Sequence, residues 1–525
     1  MLLPLLFAAL ISPQGVQVDF SFTGAPGERF GAAVAAHGHR TGSLDLQGLV
    51  VGAPGHAGDT GAYTLVSAFG NSSEQRIGVR LGDRTGQRLA YAGDLDGDGL
   101  ADYIVAAPGA DFRGIDSGAV SAVSGLNGAP LWLAFGERAG WGWGQAVASL
   151  GDLDGDTVPD VLVGSAEVDA VGPSTGRAVV YSGRHGTILK TINGFGVGAR
   201  AGEAVCAAGD VDGDGVGDYL VGSPGESTRG SGWGAVRLYS GASGALVRRF
   251  DGGETDEYFG AGLAGGHDLD LDGVADFVVG SPGASDEAQQ GGAVSAYSGA
   301  DGRLLWRVGG AQAGHRIGAV LACIRDLDGD GRAELLIGNP RAGSVAPFFS
   351  AGVGAVTVIS GADGYPITTL HGDLPGDAFG TSLAELGDID RDGASEFAVG
   401  APCDGLGGTD VGYVRVYQGL QAPHQLTLSL VNLGAGEQSR AEVWNATPNA
   451  SVSLYRGRDL GFHPLPGGRF LELREPRLVM TVATNGNGRA VFTSWVGARF
   501  AGFPVRVQAM DSAGLRSPTA FAVIL

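Results

Sequence analysis

The sequence predicts an all-β protein: a seven-bladed β-propeller over residues 16–421, followed by a small β-sandwich over residues 423–525. Three observations lead to this prediction. Short acidic loops recur at a fixed spacing, the same order of strand-like runs follows each loop, and glycine-rich turns separate those runs. A fixed period of this kind is typical of repeat architectures, in which each unit packs on its neighbours.

Each repeat is organised around one acidic loop. Four successive intervals between the loops are 58 residues and the last is 62. A loop is followed by a β-type run such as DFVVGSP, which ends in a Gly/Ala-x-Pro turn in all units but one, and then by a second run such as GAVSAYSG. In five units a further strand-like piece follows, for example LLWRV at 304–308. The unit therefore contains four strands and no convincing amphipathic helix.

An aromatic–Gly pair, or a related pair, precedes each loop by nine residues. These pairs are Thr85-Gly86, Trp143-Gly144, Ala201-Gly202, Phe259-Gly260, Ile317-Gly318 and Phe379-Gly380. An earlier copy of the unit has Phe30-Gly31, LVVGAP at 49–54 and GAYTLVSAFG at 61–70, but it lacks the acidic loop and is expected to bind no metal. Seven units favour a closed propeller over an open solenoid.

The two ends of the repeat array predict how the ring closes. The last unit stops after its third strand, at Tyr417, and an extra strand from Val16 to Phe22 precedes the first Phe-Gly pair. We expect this extra strand to complete the last blade, which would close the ring and protect an exposed sheet edge.

Each acidic loop presents carboxylates at positions 1, 3, 5 and 9, and position 7 is expected to offer a backbone carbonyl. Oxygen ligands alone favour calcium or magnesium, and several carboxylates in a flexible loop favour calcium. The predicted ligands are, at position 1, Asp94, Asp152, Asp210, Asp268, Asp326 and Asp388; at position 3, Asp96, Asp154, Asp212, Asp270, Asp328 and Asp390; at position 5, Asp98, Asp156, Asp214, Asp272, Asp330 and Asp392; at position 7, Leu100, Val158, Val216, Val274, Arg332 and Ala394; and at position 9, Asp102, Asp160, Asp218, Asp276, Glu334 and Glu396.

Two other interpretations of these loops fit the residues less well. An EF-hand needs a glutamate at position 12, where this chain has only valine or isoleucine. Metal-free Asp/Gly turns are common in proteins, but turn formation alone does not explain why six loops carry acidic residues at the same four positions. We therefore expect up to six structural calcium ions. The weakest sites are expected in the loop with Thr157 and Pro159 and in the last loop, where Arg391 adds a positive charge.

Phe-Gly, the acidic loop and Gly-Ala-Pro, in that order, resemble the FG-GAP repeat of integrin α-subunit propellers and related bacterial secreted proteins. The resemblance covers residues 16 to about 421. It implies a propeller fold, calcium loops and an extracellular binding role. Several Phe-Gly pairs are replaced, six acidic loops exceed the usual number in integrin α-subunits, and the inserted metal-dependent adhesion domain is missing.

Composition and the N-terminus indicate the compartment. The net charge of −22 and the single lysine argue against a nucleic-acid partner. Three widely separated cysteines suggest neither a disulfide framework nor a zinc cluster. Residues 1–15 are predicted to be an imperfect signal peptide, with a buried strand or a misassigned start as the alternative. We expect a secreted or cell-surface protein without an integral membrane span.

The partner is less clear from the sequence. The loops on the face opposite the acidic loops vary most between units, which is where a binding surface is usually placed. Arg113, Trp233, Phe348 and Phe349 are candidates for contacts, although the three aromatic residues are equally consistent with filling gaps between blades. No catalytic motif is present, so we expect a protein- or glycan-binding adhesion module and not an enzyme. The alternatives are a carbohydrate- or lipid-processing enzyme and a structural surface component.

The C-terminal region, residues 423–525, reads as alternating strands separated by Asn/Gly turns. LTLSLVNLG, RLVMTVAT and FPVRVQAM are examples of these strands. A small β-sandwich is the best interpretation. Attachment, export and partner binding remain equally consistent with this region.

Overall fold

The computed structural model describes residues 18–37, 48–67, 73–228, 230–327, 331–343, 352–387, 395–402 and 411–417, and beyond these nine strands between 427 and 523. Internal contacts divide the chain into two compact units, one ending at Leu420 and one beginning at Gln421. The leader predicted over residues 1–15 lies outside the described residues.

The first unit is a ring of seven four-stranded antiparallel sheets, which confirms the predicted propeller. Its first strand is β1 (Val18–Thr23), and the one helical segment among the described residues is a distorted turn, α1 (His56–Asp59). The strands are, in blade 1, β2 (Ala33–His37), β3 (Gly48–Ala53), β4 (Ala62–Ser67) and β5 (Ser73–Ile77); in blade 2, β6 (Arg88–Gly93), β7 (Asp102–Ala107), β8 (Ala119–Val123) and β9 (Pro130–Phe135); in blade 3, β10 (Ala146–Ser149), β11 (Val161–Ser165), β12 (Arg177–Tyr181) and β13 (Ile188–Asn193); and in blade 4, β14 (Val205–Gly209), β15 (Asp218–Ser223), β16 (Ala235–Tyr239) and β17 (Leu246–Asp251).

The remaining three blades repeat this order. They contain, in blade 5, β18 (Gly262–His267), β19 (Asp276–Ser281), β20 (Ala293–Tyr297) and β21 (Leu304–Gly309); in blade 6, β22 (Val320–Ile324), β23 (Glu334–Asn339), β24 (Ala355–Ser360) and β25 (Pro366–His371); and in blade 7, β26 (Ser382–Gly387), β27 (Glu396–Ala401) and β28 (Tyr413–Tyr417). The first strand of each blade contacts the first strands of both neighbours, including β2 of blade 1 with β26 of blade 7. The ring is therefore closed.

The extra N-terminal strand completes blade 7, as its position in the sequence predicts. Strand β1 pairs antiparallel with β28, from Val18 opposite Tyr417 to Thr23 opposite Tyr413. The hydroxyl of Ser382 in blade 7 also donates to the carbonyl oxygen of Gly31 in blade 1, at 2.8 Å. Both ends of the repeat array thus meet in one sheet, which removes an open edge.

The second strand of each blade forms the core. Strands β3, β15, β19, β23 and β27 are buried along their whole length. A strand covered by another sheet on each face has no solvent side, so its sequence is a continuous apolar run and does not alternate. This explains why runs such as DFVVGSP follow every acidic loop.

The glycine of the Phe-Gly pair is kept even where the aromatic residue is replaced, and the packing between blades explains this. Gly260 has a φ of +90°, and its N–H donates to the carbonyl oxygen of Gly280 at 2.9 Å. A Cβ on Gly222 of the preceding blade would lie 2.1 Å from the carbonyl oxygen of Gly260. Two backbones meet here with no room for a side chain, so glycine is required at both positions.

The second unit contains nine strands. They are β29 (Thr427–Val431), β30 (Gln438–Trp444), β31 (Ser451–Gly457), β32 (Leu460–Pro464), β33 (Phe470–Leu473), β34 (Arg477–Ala483), β35 (Ala490–Trp495), β36 (Pro504–Asp511) and β37 (Ala520–Val523). They pair as three sheets, in the orders β29-β30-β35, β34-β31-β36-β37 and β32-β33. The β-sandwich and its predicted limits, 423–525, stay a prediction.

Candidate metal sites and the opposite face of the ring

Every acidic loop joins the first and second strands of its blade. Because neighbouring strands are antiparallel and the first strands line the centre, these loops emerge on one face together with the turns between the third and fourth strands. We call this the acidic face. The loops between second and third strands and the connections between blades emerge on the other side, here called the variable face.

The carboxylates at positions 1, 3 and 9 come together in the four loops of blades 2 to 5. In each loop one oxygen from each of the three side chains lies within 4.8 Å of the other two. The groups are Asp94, Asp96 and Asp102; Asp152, Asp154 and Asp160; Asp210, Asp212 and Asp218; and Asp268, Asp270 and Asp276. Oxygens gathered in this way can hold a hard divalent cation.

The position-1 aspartate shapes the loop. Asp94 Oδ1 accepts hydrogen bonds from the N–H groups of Gly97 and Asp98, at 2.7 and 3.1 Å, and Oδ2 accepts from Gly99 at 2.9 Å. Gly97 and Gly99 have φ values of +80° and +86°. The left-handed backbone at positions 4 and 6 is what turns the chain around the carboxylate.

The position-5 aspartates form hydrogen bonds within their own loops. Asp98 Oδ1 accepts a hydrogen bond from the Leu100 N–H at 2.8 Å, and the equivalent bonds form at Asp156, Asp214 and Asp272. None of these four side chains belongs to the groups of three. Metal ligation by position 5 and by the position-7 carbonyl stays a prediction.

The position-9 carboxylate joins two separate turns of the acidic face. Asp102 is fully buried, and it accepts hydrogen bonds from the N–H of Leu95 in its own loop, at 2.7 Å, and of Gly125 in the turn after the third strand, at 2.9 Å. Asp160, Asp218 and Asp276 accept the equivalent two backbone hydrogen bonds, and one of the two donors is always the N–H of a glycine 23 residues further along the chain. Sequence reasoning missed these glycines, although the recurrent Ser-Gly at that spacing was a signal.

Burial raises the pKa of this carboxyl. Burial, partly offset by the two backbone N–H donors and reinforced by Asp96 and Asp98, raises the pKa of Asp102 to about 6. The pKa values of Asp160 and Asp276 rise to about 6 in the same way, and that of Asp218 is also raised. Three crowded carboxylates of which one is buried are costly without a positive charge. A divalent cation fits this arrangement.

The loops of blades 6 and 7 are described only in part. Asp328, Asp330, Asp388, Asp390, Asp392 and Ala394 lie outside the described residues. In blade 6, Glu334 is buried and accepts a hydrogen bond from the Leu327 N–H, and Asp326 accepts one from the Gly331 N–H at 2.8 Å. Glu396 of blade 7 is also buried. Blade 6 thus keeps the hydrogen bond between the loop and the position-9 carboxylate, with glutamate in place of aspartate.

Two arginines reach loop carboxylates from the turns after the third strands. Arg303 forms an ion pair with Asp270, position 3 of the blade 5 loop, at 2.5 Å. Arg184 forms one with Asp156, position 5 of the blade 3 loop, at 3.1 Å. Loop spacing alone does not reveal these ion pairs, of which the one at Asp270 involves a carboxylate of the gathered groups.

The variable face carries the residues expected to contact a partner. Arg113 is exposed, with its guanidinium 5.9 Å from the ring centroid of Phe135. Trp233 is half-buried, and its indole N–H donates to Thr255 Oγ1 at 3.4 Å. Phe348 and Phe349 lie outside the described residues. Within the part of the chain that the structure describes, no helix is long and apolar enough to span a membrane.

Comparison with known proteins confirms the predicted resemblance: the chain carries FG-GAP repeats and an integrin α-like propeller. The FG-GAP repeat family matches residues 259–297 and 319–359. Integrin alpha-5 of Xenopus laevis is 29% identical over 207 residues, covering 36% of this chain and 19% of that protein. Integrin alpha-V of Gallus gallus is 34% identical over 168 residues, covering 31% of this chain and 16% of that protein.

The matched region is therefore less than a fifth of the length of either integrin subunit. Among solved structures, the Dos1 propeller aligns with 77% of this chain and over 96% of its own length, with 14% sequence identity and a TM-score of 0.38.

Proposed function

We propose that this chain is a secreted or cell-surface propeller, stabilised by up to six calcium ions, that binds an extracellular protein through its variable face. The main observation that supports this proposal is a group of exposed apolar side chains on one side of that face. The integrin α-like repeats support an extracellular binding or adhesion role, and the gathered carboxylates support the calcium.

The apolar group lies on the variable loops of blades 2 and 3 and on the connections from blade 1 to blade 2 and from blade 3 to blade 4. Its members are between 44% and 84% exposed, and we call them the apolar patch: Val79, Leu81, Phe112, Ile115, Val171, Phe195 and Val197. Scattered exposed apolar residues are normal, but a group on neighbouring loops of one face marks an interaction site.

Hydrogen bonds hold the patch in a fixed form. The Gly140 N–H donates to the Ile115 carbonyl at 2.8 Å, which joins the variable loop of blade 2 to the next inter-blade connection. The Gly198 N–H donates to the Pro173 carbonyl at 2.9 Å and makes the same link one blade further on. A binding surface that is already ordered loses less entropy when it binds.

The loops of blades 4 and 5 lack such a group. Together with the connections that follow these two blades, they carry Glu254, Asp256, Asp286 and Glu287, and their described residues include no exposed large apolar side chain; elsewhere on the face Leu374, between blades 6 and 7, is 66% exposed. This asymmetry between equivalent loops favours a partner with an apolar surface, and hence a protein over a glycan. Calcium on the acidic face is then structural, and no catalytic role is proposed.

The test measures binding of the calcium-loaded full chain to arrays of purified extracellular proteins and of glycans. The variant Ile115→Ser/Val197→Ser should lose binding by tenfold or more, because it removes apolar contact area from the patch. The matched control is Leu133→Ser/Leu304→Ser, which changes two exposed leucines on outer strands and should bind as the wild type does.

Three results would contradict the proposal. Binding to a glycan that is unaffected by the patch variant would place the site elsewhere. Turnover of a polysaccharide or lipid would indicate an enzyme, and self-association without a soluble ligand would indicate a structural surface component. Loss of binding on chelation, restored by calcium, would support the structural role of the ion.

A further inference from the structure

A cavity of about 640 Å³ lies at the centre of the ring. All seven blades contribute to its wall through their first strands or the residues just before them. Ten alanine and valine residues line it, together with eight polar or charged residues. A cavity of this volume that combines apolar and polar groups can hold a small molecule.

The charges on this wall oppose the charge of the whole chain. The chain has 34 basic and 56 acidic residues, yet the cavity is lined by Arg88, Arg316 and Arg341 and by one acid, Glu203. Glu203 already pairs with Arg200 at 2.9 Å. The wall therefore carries a net positive charge at the centre of an acidic protein.

Arg88 stands at the start of β6, in the innermost layer of blade 2. Its Nε donates to the carbonyl oxygen of Gln145 at 3.1 Å, and one terminal nitrogen donates to that of Gln87 at 3.0 Å. Among the described residues no carboxylate forms an ion pair with it. Its side chain is exposed, and arginine stays charged at any ordinary pH. Arg88 therefore presents to the cavity a positive charge that an incoming anion can reach and pair with.

Blade 6 presents a second basic group to the cavity, and blade 6 lies nearly opposite blade 2 in a ring of seven. Arg316 Nε is buried and has no hydrogen-bond partner among the described residues. Next to it, His315 Nδ1 lies 2.9 Å from Asn339 Nδ2. The amide oxygen of Asn339 accepts from the Arg341 N–H at 3.3 Å, so its nitrogen is the atom that faces the ring.

The tautomer of His315 follows from that contact. Nδ1 accepts the amide hydrogen, so in the neutral ring the proton resides on Nε2, which is a donor. Burial lowers the pKa of His315, which favours this neutral form. The wall of the cavity thus offers donors from Arg88, Arg316 and His315.

We propose that the central cavity binds a small organic anion whose carboxylate or phosphate groups are recognised by Arg88 on one side of the ring and Arg316 on the other, with its apolar body against the alanine and valine side chains. The site is separate from the apolar patch and from the acidic loops. It does not depend on the adhesion role proposed above, because its donors come from the inner strands of blade 2 and the connection before blade 6.

The test is calorimetric titration of the calcium-loaded full chain at constant ionic strength. The probes are isophthalate, an aromatic dicarboxylate, and phenyl phosphate; their relative affinities decide which anionic group the site prefers. Isophthalamide, the neutral analogue of isophthalate, is the control ligand. We expect saturable one-to-one binding of at least one anion and none of isophthalamide.

Arg88→Gln should weaken binding of that anion by about tenfold or more, the usual effect of a hydrogen bond to a charged group. The matched control Arg138→Gln makes the same charge change at an exposed position outside the cavity, and should alter affinity less than twofold. If Arg88→Gln does not fold, Arg316→Gln serves in its place, with thermal melting as the check on folding. Absence of saturable binding, binding of isophthalamide, or equal weakening by Arg138→Gln would overturn the proposal.

Discussion

Removing calcium should reverse the pH dependence of the propeller's stability. The reason lies in the buried position-9 carboxyls, Asp102, Asp160 and Asp276, whose pKa values are raised to about 6 in the metal-free fold. In the unfolded chain the same groups have pKa values near 3.8. Between these two values the folded protein binds more protons than the unfolded chain.

The sign follows from that difference. The stabilisation from protonating these carboxyls is fully present below the unfolded pKa and is lost as the pH rises through the folded pKa. At pH 5, one unit below the folded value, each group contributes about 1.4 kcal/mol, and at pH 7 almost nothing. The three groups together should make metal-free protein more stable at pH 5 than at pH 7 by about 4 kcal/mol.

Calcium reverses this trend because it binds the deprotonated carboxylates. The ion stabilises the folded form alone by mass action, and protons compete with it as the pH falls. Calcium-loaded protein should therefore be more stable at pH 7 than at pH 5. The opposite slopes distinguish a metal site from a set of metal-free Asp/Gly turns.

The assay is urea unfolding at both pH values, with protein dialysed free of metal and with protein in excess calcium. Asp102→Asn cannot titrate, so metal-free protein with this change should lose about 1.4 kcal/mol of the difference between pH 5 and pH 7. Asp169→Asn, an exposed change on the variable face, is the control. Identical pH slopes with and without calcium, or an unchanged slope in Asp102→Asn, would refute the reasoning.

Two further predictions concern the blade 5 loop. Leu271 occupies position 4 with a φ of +64° and is exposed, so Leu271→Gly should raise the free energy of unfolding by about 0.5–1 kcal/mol through relief of backbone strain. Leu271→Ala keeps the strain and should leave the free energy of unfolding unchanged. A lower melting temperature for the glycine variant would contradict this prediction. Arg303 is paired with Asp270 and would compete with a cation there, so Arg303→Gln should tighten the calcium site of the blade 5 loop by about two- to fivefold, the value of an exposed ion pair, in titrations against a fluorescent chelator. Arg138→Gln is the control there, and an unchanged or weaker calcium affinity would show that the ion pair does not compete.

Much of the fold was predictable because its signals are local. A strand pattern, a glycine that must adopt positive φ, and an Asp ladder in one loop all depend on residues close together in the chain. The constant spacing between loops then fixes the number of blades. Completion of blade 7 by β1 could be predicted as well, because a missing strand at one end and an extra strand at the other fit only one closed ring.

The composition of the acidic loops was predictable, but the hydrogen bonds of their members were not. Spacing predicts Asp94, Asp96, Asp98 and Asp102 as ligands in one loop, and the structure gathers the first, second and fourth of these carboxylates. Asp98 also accepts a backbone hydrogen bond within the loop, and its ligation of a metal stays a prediction. The double role of Asp102 depends on Gly125, which lies in another turn and approaches only when the blade is folded.

The sequence by itself determined the all-β architecture, the seven repeats and the positions of the acidic loops, because these follow from periodicity and local backbone chemistry. Only the tertiary structure decided that apolar residues from separate loops form one patch and that Arg88 and Arg316 line the same cavity. Such residues lie far apart in the chain and carry no shared local pattern. Ring closure brings them together, and it also sets the burial that raises the pKa of the position-9 carboxyls.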